Sequence, residues 1–549
     1  MPRSLCVTGG ILLLAGWISA TCSIAHAQTT APLASSLGTV DTVLNEGLAL
    51  EAKQAWADGI QFYEAALRRD SDNTTIRQRL VICRLHFDVQ RRYQDESYLR
   101  SVRELSTSQA IELYGEVLAS LETNYVERVN WSDVIRHGTA SLEVALTEPV
   151  FIETVLSSAS PDAIETFRQN IHLQVLSRST ATRYDLKATV AMVAKLAQAQ
   201  LGLAGTATVL EFTTGALSSL DTYSRFLTGN QLDETFSNIE GNFVGLGVEL
   251  RSASEKLLVI HVIANGPADE AGILAGESIT RVEDATTSEH NPDHVADLLR
   301  GPEGSEVSLT VANKDGTSRE LRVKRRRVEV PCVDNVHIVD AATGVGYLRL
   351  TNFQRTTTRD VEKAMWDLHR QGMKSLIIDV RGNPGGLLTA AVEVADRFLA
   401  SGRIVTTRGR NSRENFDYAA HRANTWNIPI AVLIDSDSAS ASEIFAGAIH
   451  DHQRGTLVGE TSYGKGSVQG IFRMQSAKFG LCLTTAKFYS PSGQAISDRG
   501  VTPDVAVEPT YIAARPNDSG ELTKEIDDAI LQKAIDTVRA EMRLSSRPR

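Results

Sequence analysis

Three polar, glycine-rich stretches of the sequence carry residue types that can do chemistry. They are RGNPGGLL at 381–388, SDSASASEIFAGAIHD at 436–451 and GETSYGKGSVQG at 459–470. The first is a turn whose backbone N–H groups can face an anion. The second places alternating serines before a helix, whose N-terminus favours an oxyanion or a nucleophilic oxygen. The third places one lysine among glycines, so its amine can come close to other backbone.

Two chemistries compete for the lysine stretch. GETSYGKG nearly fits the phosphate-binding pattern G-x-x-x-x-G-K-[ST], with Gly459, Gly464 and Lys465 in place. However, Gly466 stands where the Mg²⁺-binding hydroxyl belongs, and the residues that follow indicate a strand rather than a helix. The sequence therefore disfavours a nucleoside triphosphatase.

The second chemistry is covalent catalysis by a serine with a lysine base. A hydroxyl is a weak nucleophile until a base takes its proton, and a lysine can do so when burial lowers its pKa. A serine at the start of the predicted helix can meet Lys465 after that helix and a returning strand. From spacing alone, ordinary turn chemistry remains the alternative. The sequence has no G-x-S-x-G elbow, and His450-Asp451-His452 is predicted to cap a helix C-terminus rather than bind zinc.

Strands that alternate with helices are predicted beyond residue 330. The strands are 345–350, 375–382 and 429–435, and the helices are 360–371, 388–399 and 442–451. This alternation is typical of a mostly parallel sheet with helices on both faces. The first two polar stretches each follow one of these strands. A final helix is predicted from the apolar stripe between Ile526 and Val538.

Residues 40 to about 235 show a helical pattern with almost no proline. One segment, Gly47 to Asn73, resembles a tetratricopeptide unit, with Gly47, Tyr63 and Ala66 where such a unit packs its two helices. Generic helical hairpins explain the same pattern equally well.

From Gly241 the apolar period changes to two, which predicts short strands at 244–250 and 256–263, followed by a helix at 294–300 and a turn and strand at 301–313. The basic run KRRR at 324–327 alternates with valines on both sides. This pattern favours a solvated strand at a domain edge over a nucleic-acid site.

The N-terminus has the pattern of a secretory signal peptide. Arg3 precedes an apolar run from Ile11 to Ile18, and Ala25-His26-Ala27 predicts cleavage before Gln28. An uncleaved anchor is the alternative. Cleavage would leave three cysteines, Cys83, Cys332 and Cys482, which allow at most one disulfide. The chain has 549 residues and a net charge of −11, which makes a nucleic-acid-binding surface over the whole protein implausible.

The ordered motifs resemble those of the carboxyl-terminal processing peptidases, also called tail-specific proteases, which are serine peptidases with a Ser–Lys dyad. Their catalytic block matches SASASEIFAGAIHDHQRGTLVGETSYGKGSVQ nearly letter for letter. DVRGNPGGLL, FYSPSGQAISDRGVTPDV (488–505) and LDTYSRFLT (220–228) flank it. The resemblance extends from about Leu105 to Val538. It departs from the family in LDTYS, where LDPHS is usual, and in the tetratricopeptide-like N-terminus. Neither departure is expected to touch the dyad.

The resemblance implies a role for each matching site residue. The nucleophile would be Ser440, the general base Lys465, the residue that positions the lysine Gln469, and the oxyanion-hole N–H groups those of Ala441 and Gly386.

Neighbouring polar residues are given supporting roles. Ser438 and Ser442 are expected to act as N-cap and first-turn hydroxyls. Glu443 is expected near the first-turn amides or in a polar network of the site.

The stretch 241–325 resembles the family's PDZ domain. The resemblance implies that the backbone N–H groups of Gly245, Leu246, Gly247 and Val248 bind a substrate's C-terminal carboxylate, and that the following strand accepts an extended peptide. It also implies that this domain gates the site. The alternative is a PDZ-like domain that acts only as a spacer or gate.

The resulting prediction is a multi-domain α/β protein with a crotonase-like peptidase core, a PDZ domain and a helical N-terminal region. The predicted parts are a signal peptide (1–27), a tetratricopeptide-like module (28–105), a helical region of the peptidase (106–240), the PDZ domain (241–325), the peptidase core (326–515), and a C-terminal helix and tail (516–549).

The predicted function is that of a periplasmic or secreted serine endopeptidase that cleaves proteins or peptides near a free C-terminus. No metal, cofactor, nucleic acid or stable membrane span is expected, and the helical module can bind an adaptor or support a homo-oligomer. Two alternatives remain open. One is a non-catalytic PDZ and helical-repeat scaffold that binds C-terminal peptides, and the other is a ligand-binding relative of the same core fold.

Overall fold

The computed structural model describes most of the chain after residue 39. The described residues are 40–508 and 528–545, with gaps at 68, 71, 157, 254–255, 288–294, 296–297, 314 and 422–424, together with 12–15, 515–516 and 522–523. Nearly all of the predicted signal peptide, and residues 294, 296 and 297 of the predicted helix 294–300, lie outside these residues.

Eleven helices form the described part of the N-terminal region. Their bounds are Val40–Ala52, Trp56–Leu67, Thr74–Arg92, Glu96–Glu104, Thr107–Asn124, Trp131–Ala145, Pro149–Val155, Pro161–Leu176, Arg183–Leu201, Gly205–Ser218 and Gly229–Glu240. Apolar residues at helical spacing bury one stripe of the fifth helix, which includes Leu113, Val117 and Leu121, whereas nearly every residue of Gly205–Ser218 is buried. Gly47 lies directly against the ring of Tyr63, so the first two helices pack as a close hairpin.

A five-stranded antiparallel sheet follows. In spatial order its strands are Val248–Ala253, Lys256–Val262, Ser278–Val282, Glu306–Ala312 and Ser318–Lys324, with Ala285–Thr286 paired beside the third and a short helix at Pro267–Glu270. The predicted strand 244–250 is interrupted at Gly247, whose φ of +80° suits glycine. Its first part, Asn242–Gly245, pairs instead with Arg326–Glu329.

The prediction of a solvated strand for the basic run 324–327 is wrong at one position. Lys324, Arg326 and Arg327 are exposed, but Arg325 is buried. Its guanidinium donates to the carbonyls of Leu298, Leu299 and Glu306 and to the Ser305 hydroxyl. Because backbone carbonyls satisfy this cation, Arg325 ties the strands and the 298–299 turn together.

The predicted mostly parallel sheet is present. Its spatial order is Val333–Asp340, Val345–Leu350, Ser375–Asp379, Ile430–Ile434, Thr456–Gly459 and Val505–Ala506, and only the first pair is antiparallel. The helices around it are Thr357–Arg370, Leu388–Asp396, Ala441–Asp451 and Ala529–Ser545. The last one packs its apolar stripe, Ile530, Ala534 and Val538, on this sheet.

A second sheet lies on the other side of the helix Ala441–Asp451. Its order is Gly386–Leu387, Leu12–Ala15, Ser467–Arg473, Gly480–Tyr489, Arg403–Gly409 and Phe416–Ala419, with Arg225–Leu227 paired beside Gly480–Tyr489. A 3₁₀ turn at Ser412–Glu414 and the two-residue strands Arg515–Pro516 and Leu522–Thr523 complete the described elements. The backbone of Leu12–Ala15 is antiparallel to both Gly386–Leu387 and Ser467–Arg473, and so fills a slot between them.

No helix in the described parts of the chain combines the length and the apolar character needed to cross a bilayer. Cys83, Cys332 and Cys482 are free and buried.

Candidate active site

Two neighbouring parallel strands bring two of the three polar stretches together. Ser375–Asp379 pairs with Ile430–Ile434 in parallel, so their carboxyl ends lie at one edge of the sheet. The glycine-rich turn after the first strand therefore meets the serine-rich turn after the second. Both strands are fully buried, so they pair inside the sheet, and their pairing brings the two turns next to each other.

Ser440 lies at the junction between the serine-rich turn and the helix Ala441–Asp451. It is 0% exposed, and its φ of 59° and ψ of −108° are unusual for a residue with a side chain. Its Oγ is buried and has no hydrogen-bond partner among the residues that the structure describes. A buried hydroxyl without a partner is costly, and this one is held in place by strained backbone.

Asn383 holds the serine turn against the glycine turn. Its carbonyl accepts from the amide of Ala439 at 3.0 Å and from the hydroxyl of Ser442 at 2.9 Å. Its side chain donates to the Leu350 carbonyl and accepts from the Gly385 amide, both within 2.9 Å. Sequence reasoning gave Asn383 no role, although it lies in the middle of the quoted motif RGNPGGLL.

The N–H groups assigned to the oxyanion hole lie on either side of this junction. Ala441 is the first residue of its helix, so its N–H has no acceptor in a preceding turn. A Cβ on Gly385 would lie 2.9 Å from the Ser440 Cβ and 3.0 Å from the Ala441 nitrogen, which explains a glycine there. The Gly385 amide donates to the Asn383 side chain, and Gly386 begins the short strand Gly386–Leu387.

Lys465 approaches the junction from the loop before Ser467–Arg473. It is 1% exposed, and its Nζ forms no hydrogen bond within the described part of the chain. Burial lowers the pKa of Lys465 to about 8. The ammonium lies 4.3 Å from the centroid of the Tyr223 ring. The side chains of Lys465 and Ser440 form no hydrogen bond with each other in this structure.

Gln469 lies on the strand that follows Lys465 and is also buried. Its Nε2 donates to the hydroxyls of Ser467 at 3.0 Å and Thr484 at 3.2 Å. Its Oε1 is buried without a partner. The amide is therefore anchored through nitrogen with its oxygen free, and a contact from Gln469 to Lys465 is not present.

Glu443 joins the nucleophile turn to the lysine loop. One carboxylate oxygen accepts from the Ser440 amide at 2.6 Å and the Lys465 amide at 2.9 Å. The other accepts from the Ser462 hydroxyl and the Gly464 amide, both at 2.6 Å. Burial raises the pKa of Glu443, and these four donors act in the opposite direction. The expected contact with amides near the helix start is present, and it extends to the lysine loop.

Ser442 has the role predicted for its hydroxyl, and Ser438 does not. Ser442 is in the first helical turn and donates to Asn383, as its position predicts. Ser438 is not an N-cap, because its hydroxyl donates to the carbonyl of Val380 at 2.8 Å and accepts from the amide of Asp435. It links the two strand ends instead.

The motif at 488–505 forms the outer support of the lysine loop. The Asp498 amide donates to the Gly464 carbonyl, and the Val501 amide donates to the Ser462 hydroxyl. The motif around Arg381 has a similar supporting role. Arg381 binds Asp379 and Asp528, which ties the end of the buried strand to the start of the C-terminal helix.

The predicted carboxylate-binding loop lies in the antiparallel sheet region. Gly245 pairs with Arg326. The carbonyls of Leu246 and Gly247 accept from Ala268 and Ile263. Val248 begins a strand whose described partner is on one side alone, so its other edge is open among the described residues.

Two parts of the chain match known protein families. Residues 344–507 match the profile described as Peptidase family S41, and residues 258–313 match a PDZ domain profile. A carboxy-terminal-processing protease of Bartonella bacilliformis is 38% identical over 299 residues, which is 54% of this chain and 68% of that protein. The chain belongs to peptidase family S41. It is therefore a serine-type peptidase, with a mixed α/β fold that includes a PDZ domain and a helical N-terminal region.

Two further comparisons are with a curated relative and with a solved structure. A probable CtpA-like serine protease of Staphylococcus aureus is 31% identical over 294 residues, which is 53% of this S41 peptidase and 58% of its relative. Among solved structures, the photosystem II D1 C-terminal processing protease is 24% identical with a TM-score of 0.38, over 75% of this chain and 95% of that one.

Proposed function

We propose that this S41 peptidase cleaves protein or peptide chains near a free C-terminus, with Ser440 as nucleophile and Lys465 as general base. One observation carries this proposal: Ser440 Oγ and Lys465 Nζ are both buried and both without a hydrogen-bond partner. Folding leaves such polar atoms unpaired at a cost, and a reacting substrate would supply the missing partners.

The reaction proceeds through an acyl-enzyme. Neutral Lys465 takes the proton of Ser440 Oγ, and the oxygen attacks the scissile carbonyl to form a tetrahedral oxyanion. The amides of Ala441 and Gly386 bind that oxyanion. The peptide C–N bond then breaks, and protonated Lys465 gives its proton to the departing amine. Water, activated by the same lysine, hydrolyses the ester and restores Ser440.

Gln469 and Glu443 support these two groups without reacting. The free Oε1 of Gln469 is available to accept a hydrogen bond from the Lys465 amine. Glu443 holds the backbone of Ser440 and Lys465 on one carboxylate oxygen, so it fixes how far the nucleophile and the base can separate.

A substrate would enter as an extended strand. The slot between Gly386–Leu387 and Ser467–Arg473 accepts a strand antiparallel to both walls, as the backbone of Leu12–Ala15 demonstrates. Main-chain pairing of this kind binds peptides with little demand on side chains. The open edge beside Val248, with the amides of the Gly245–Val248 loop, would hold the substrate's C-terminal carboxylate. The signal-peptide pattern places this activity in the periplasm or outside the cell.

Peptides that differ only at the C-terminus test the proposal. The chain that begins at Gln28 should cleave a peptide with a free apolar C-terminus. The same peptide with an amidated C-terminus should be cleaved with a higher KM. Ser440→Ala should abolish turnover of both. Lys487→Ala, which removes an exposed lysine of the neighbouring strand, should retain it. Turnover retained by Ser440→Ala would contradict the nucleophile, and equal KM values for acid and amide would contradict recognition of the carboxylate.

A further inference from the structure

Tyr223 lies against the proposed base, a position that no sequence pattern predicted. It belongs to LDTYS, one of the two places where the sequence departs from the usual family motif. The expectation that this departure leaves the dyad untouched is wrong, because the Lys465 ammonium lies 4.3 Å from the Tyr223 ring centroid. That distance is well within the range of a cation–π interaction.

The fold holds the ring in this position from two sides. The Asp221 carboxylate accepts from the amides of Tyr223 and Ser224, both at 2.8 Å, which closes the turn. The Ser224 hydroxyl then accepts from the amide of Thr484 at 3.1 Å. Thr484 is also the residue whose hydroxyl binds Gln469, so one strand aligns the ring and the proposed lysine-positioning amide.

The other charged and titratable groups around Lys465 do not bind its amine. They are the thiol of Cys482, the guanidinium of Arg225 and the carboxylates of Asp221 and Glu443. Glu443 contacts the loop through the Lys465 amide, and its oxygens are occupied by four donors. Nζ has no hydrogen-bond partner among the described residues. The observed favourable contact of the ammonium is with the Tyr223 ring, whose face carries partial negative charge.

We propose that Tyr223 is a positioning residue that holds the protonated Lys465 side chain over its ring between turnovers and thereby sets the pH at which the base becomes available. The inference rests on the proposed role of Lys465. The ring stabilises the ammonium and not the neutral amine, so it competes with deprotonation. Deprotonation of Lys465 weakens this contact and frees the amine to turn toward Ser440.

The test is the pH dependence of kcat/KM between pH 6 and 10, measured with a fluorogenic peptide on the chain that begins at Gln28. For the wild type, activity should rise through a pKa near that of Lys465, about 8. Tyr223→Leu removes the ring, so this rise should move to lower pH by about half to one unit. Tyr223→Phe keeps the ring face and should leave the rise where it is.

A pentafluorinated phenylalanine at position 223 keeps the shape of the ring but removes its negative face. It should shift the profile as Tyr223→Leu does, and it serves as the decisive variant if the leucine substitution impairs folding. As a matched control, Tyr184→Leu removes an exposed ring that lies 4.9 Å from the Arg183 guanidinium at the start of a helix, and the profile should not move.

Two results would overturn the inference: a profile for the fluorinated variant that superposes on the wild type, or an equal shift for Tyr223→Phe. Lys465→Met distinguishes this failure from failure of the proposed function. An inactive Lys465→Met with an unmoved Tyr223 series rejects the ring alone, whereas an active Lys465→Met rejects the lysine base itself.

Discussion

A buried cation in the helical N-terminal region and a buried cation in the peptidase core differ in the partners of their charged groups. Arg92, 9% exposed, forms an ion pair at 2.7 Å with Glu211, which is 0% exposed. The same carboxylate accepts from the hydroxyls of Ser141 and Tyr98. Lys465, 1% exposed, has neither an ion pair nor a hydrogen bond at its amine.

The difference appears in the pKa of each group. Burial works against the charge on Arg92, but Glu211 and its neighbours leave the pKa of Arg92 above its ordinary value. For Lys465 burial prevails, and the pKa falls to about 8. The paired cation stays charged and stabilises the fold, whereas the unpaired one can lose its proton near neutral pH and act as a base. A buried charge is therefore informative about function when its partners are missing.

The largest expected effect separates activity from stability at Lys465. Lys465→Met should lower kcat/KM by about 10³-fold or more, because the base is lost. It should not lower the urea midpoint of unfolding, because an apolar side chain replaces a buried unpaired amine. A substantial loss of stability would contradict the contrast, since it would show that this cation supports the fold.

The opposite pattern is expected at Arg92. Arg92→Met leaves Glu211 buried without its partner, which should lower the free energy of unfolding by about 3 kcal/mol or more. Below the unfolding transition, kcat/KM should stay within about threefold of the wild type. Arg103→Met breaks an exposed pair with Glu96 and serves as the matched control with little effect. A large decrease in kcat of folded Arg92→Met would contradict the comparison, because it would show that this ion pair is needed for activity.

A smaller effect is expected at Glu443. Glu443→Gln places an amide NH₂ against N–H donors, so the nucleophile and lysine loops should lose their common anchor. We expect kcat to fall by about 10- to 100-fold with little change in KM. Loss of the nearby negative charge should also lower the pKa of Lys465 and move the pH profile downward.

Glu414→Gln provides the control for that substitution. Glu414 is a buried carboxylate of the same core, bound to the Thr485 hydroxyl at 3.3 Å. Its substitution should leave the pH profile in place. If both variants shift the profile equally, Glu443 acts through general stability and not through the site.

The smallest effect is the pH dependence of the unaltered enzyme. Only the neutral amine can accept the Ser440 proton, so activity should rise as the pH passes the Lys465 pKa of about 8. Between pH 7 and 9 this amounts to about a tenfold increase in kcat/KM. A maximum in the acidic range would contradict a lysine base.

The sequence predicted the parts of this site that depend on local pattern. Apolar runs followed by polar turns identified the strand ends that carry Ser440 and the glycine turn, and the spacing to Lys465 allowed the base to return. The helix Ala441–Asp451 differs from its predicted start by one residue. The predicted strand 375–382 ends earlier, at Asp379, because the following residues turn to bind Asp435 and Asn383.

The parts that were missed depend on contacts between distant residues. Tyr223 and Lys465 are far apart in sequence, and only the pairing of Arg225–Leu227 with Gly480–Tyr489 brings the ring to the amine. The sequence pattern does not distinguish Arg325 from the other three basic residues of the run. In the structure it is buried, and its guanidinium donates to the carbonyls of Leu298 and Leu299. Its burial follows from tertiary packing, which a local charge pattern does not record.

The most direct test of the central claim is to trap the acyl-enzyme. The chain that begins at Gln28 is mixed with a peptide ester, quenched in acid and digested, and the acyl mass is located by mass spectrometry. We expect the acyl group on Ser440, formed rapidly in the wild type, at least about 10³-fold more slowly in Lys465→Met and not at all in Ser440→Ala. An acyl group on another residue, or equal rates in the wild type and Lys465→Met, would contradict the Ser–Lys site.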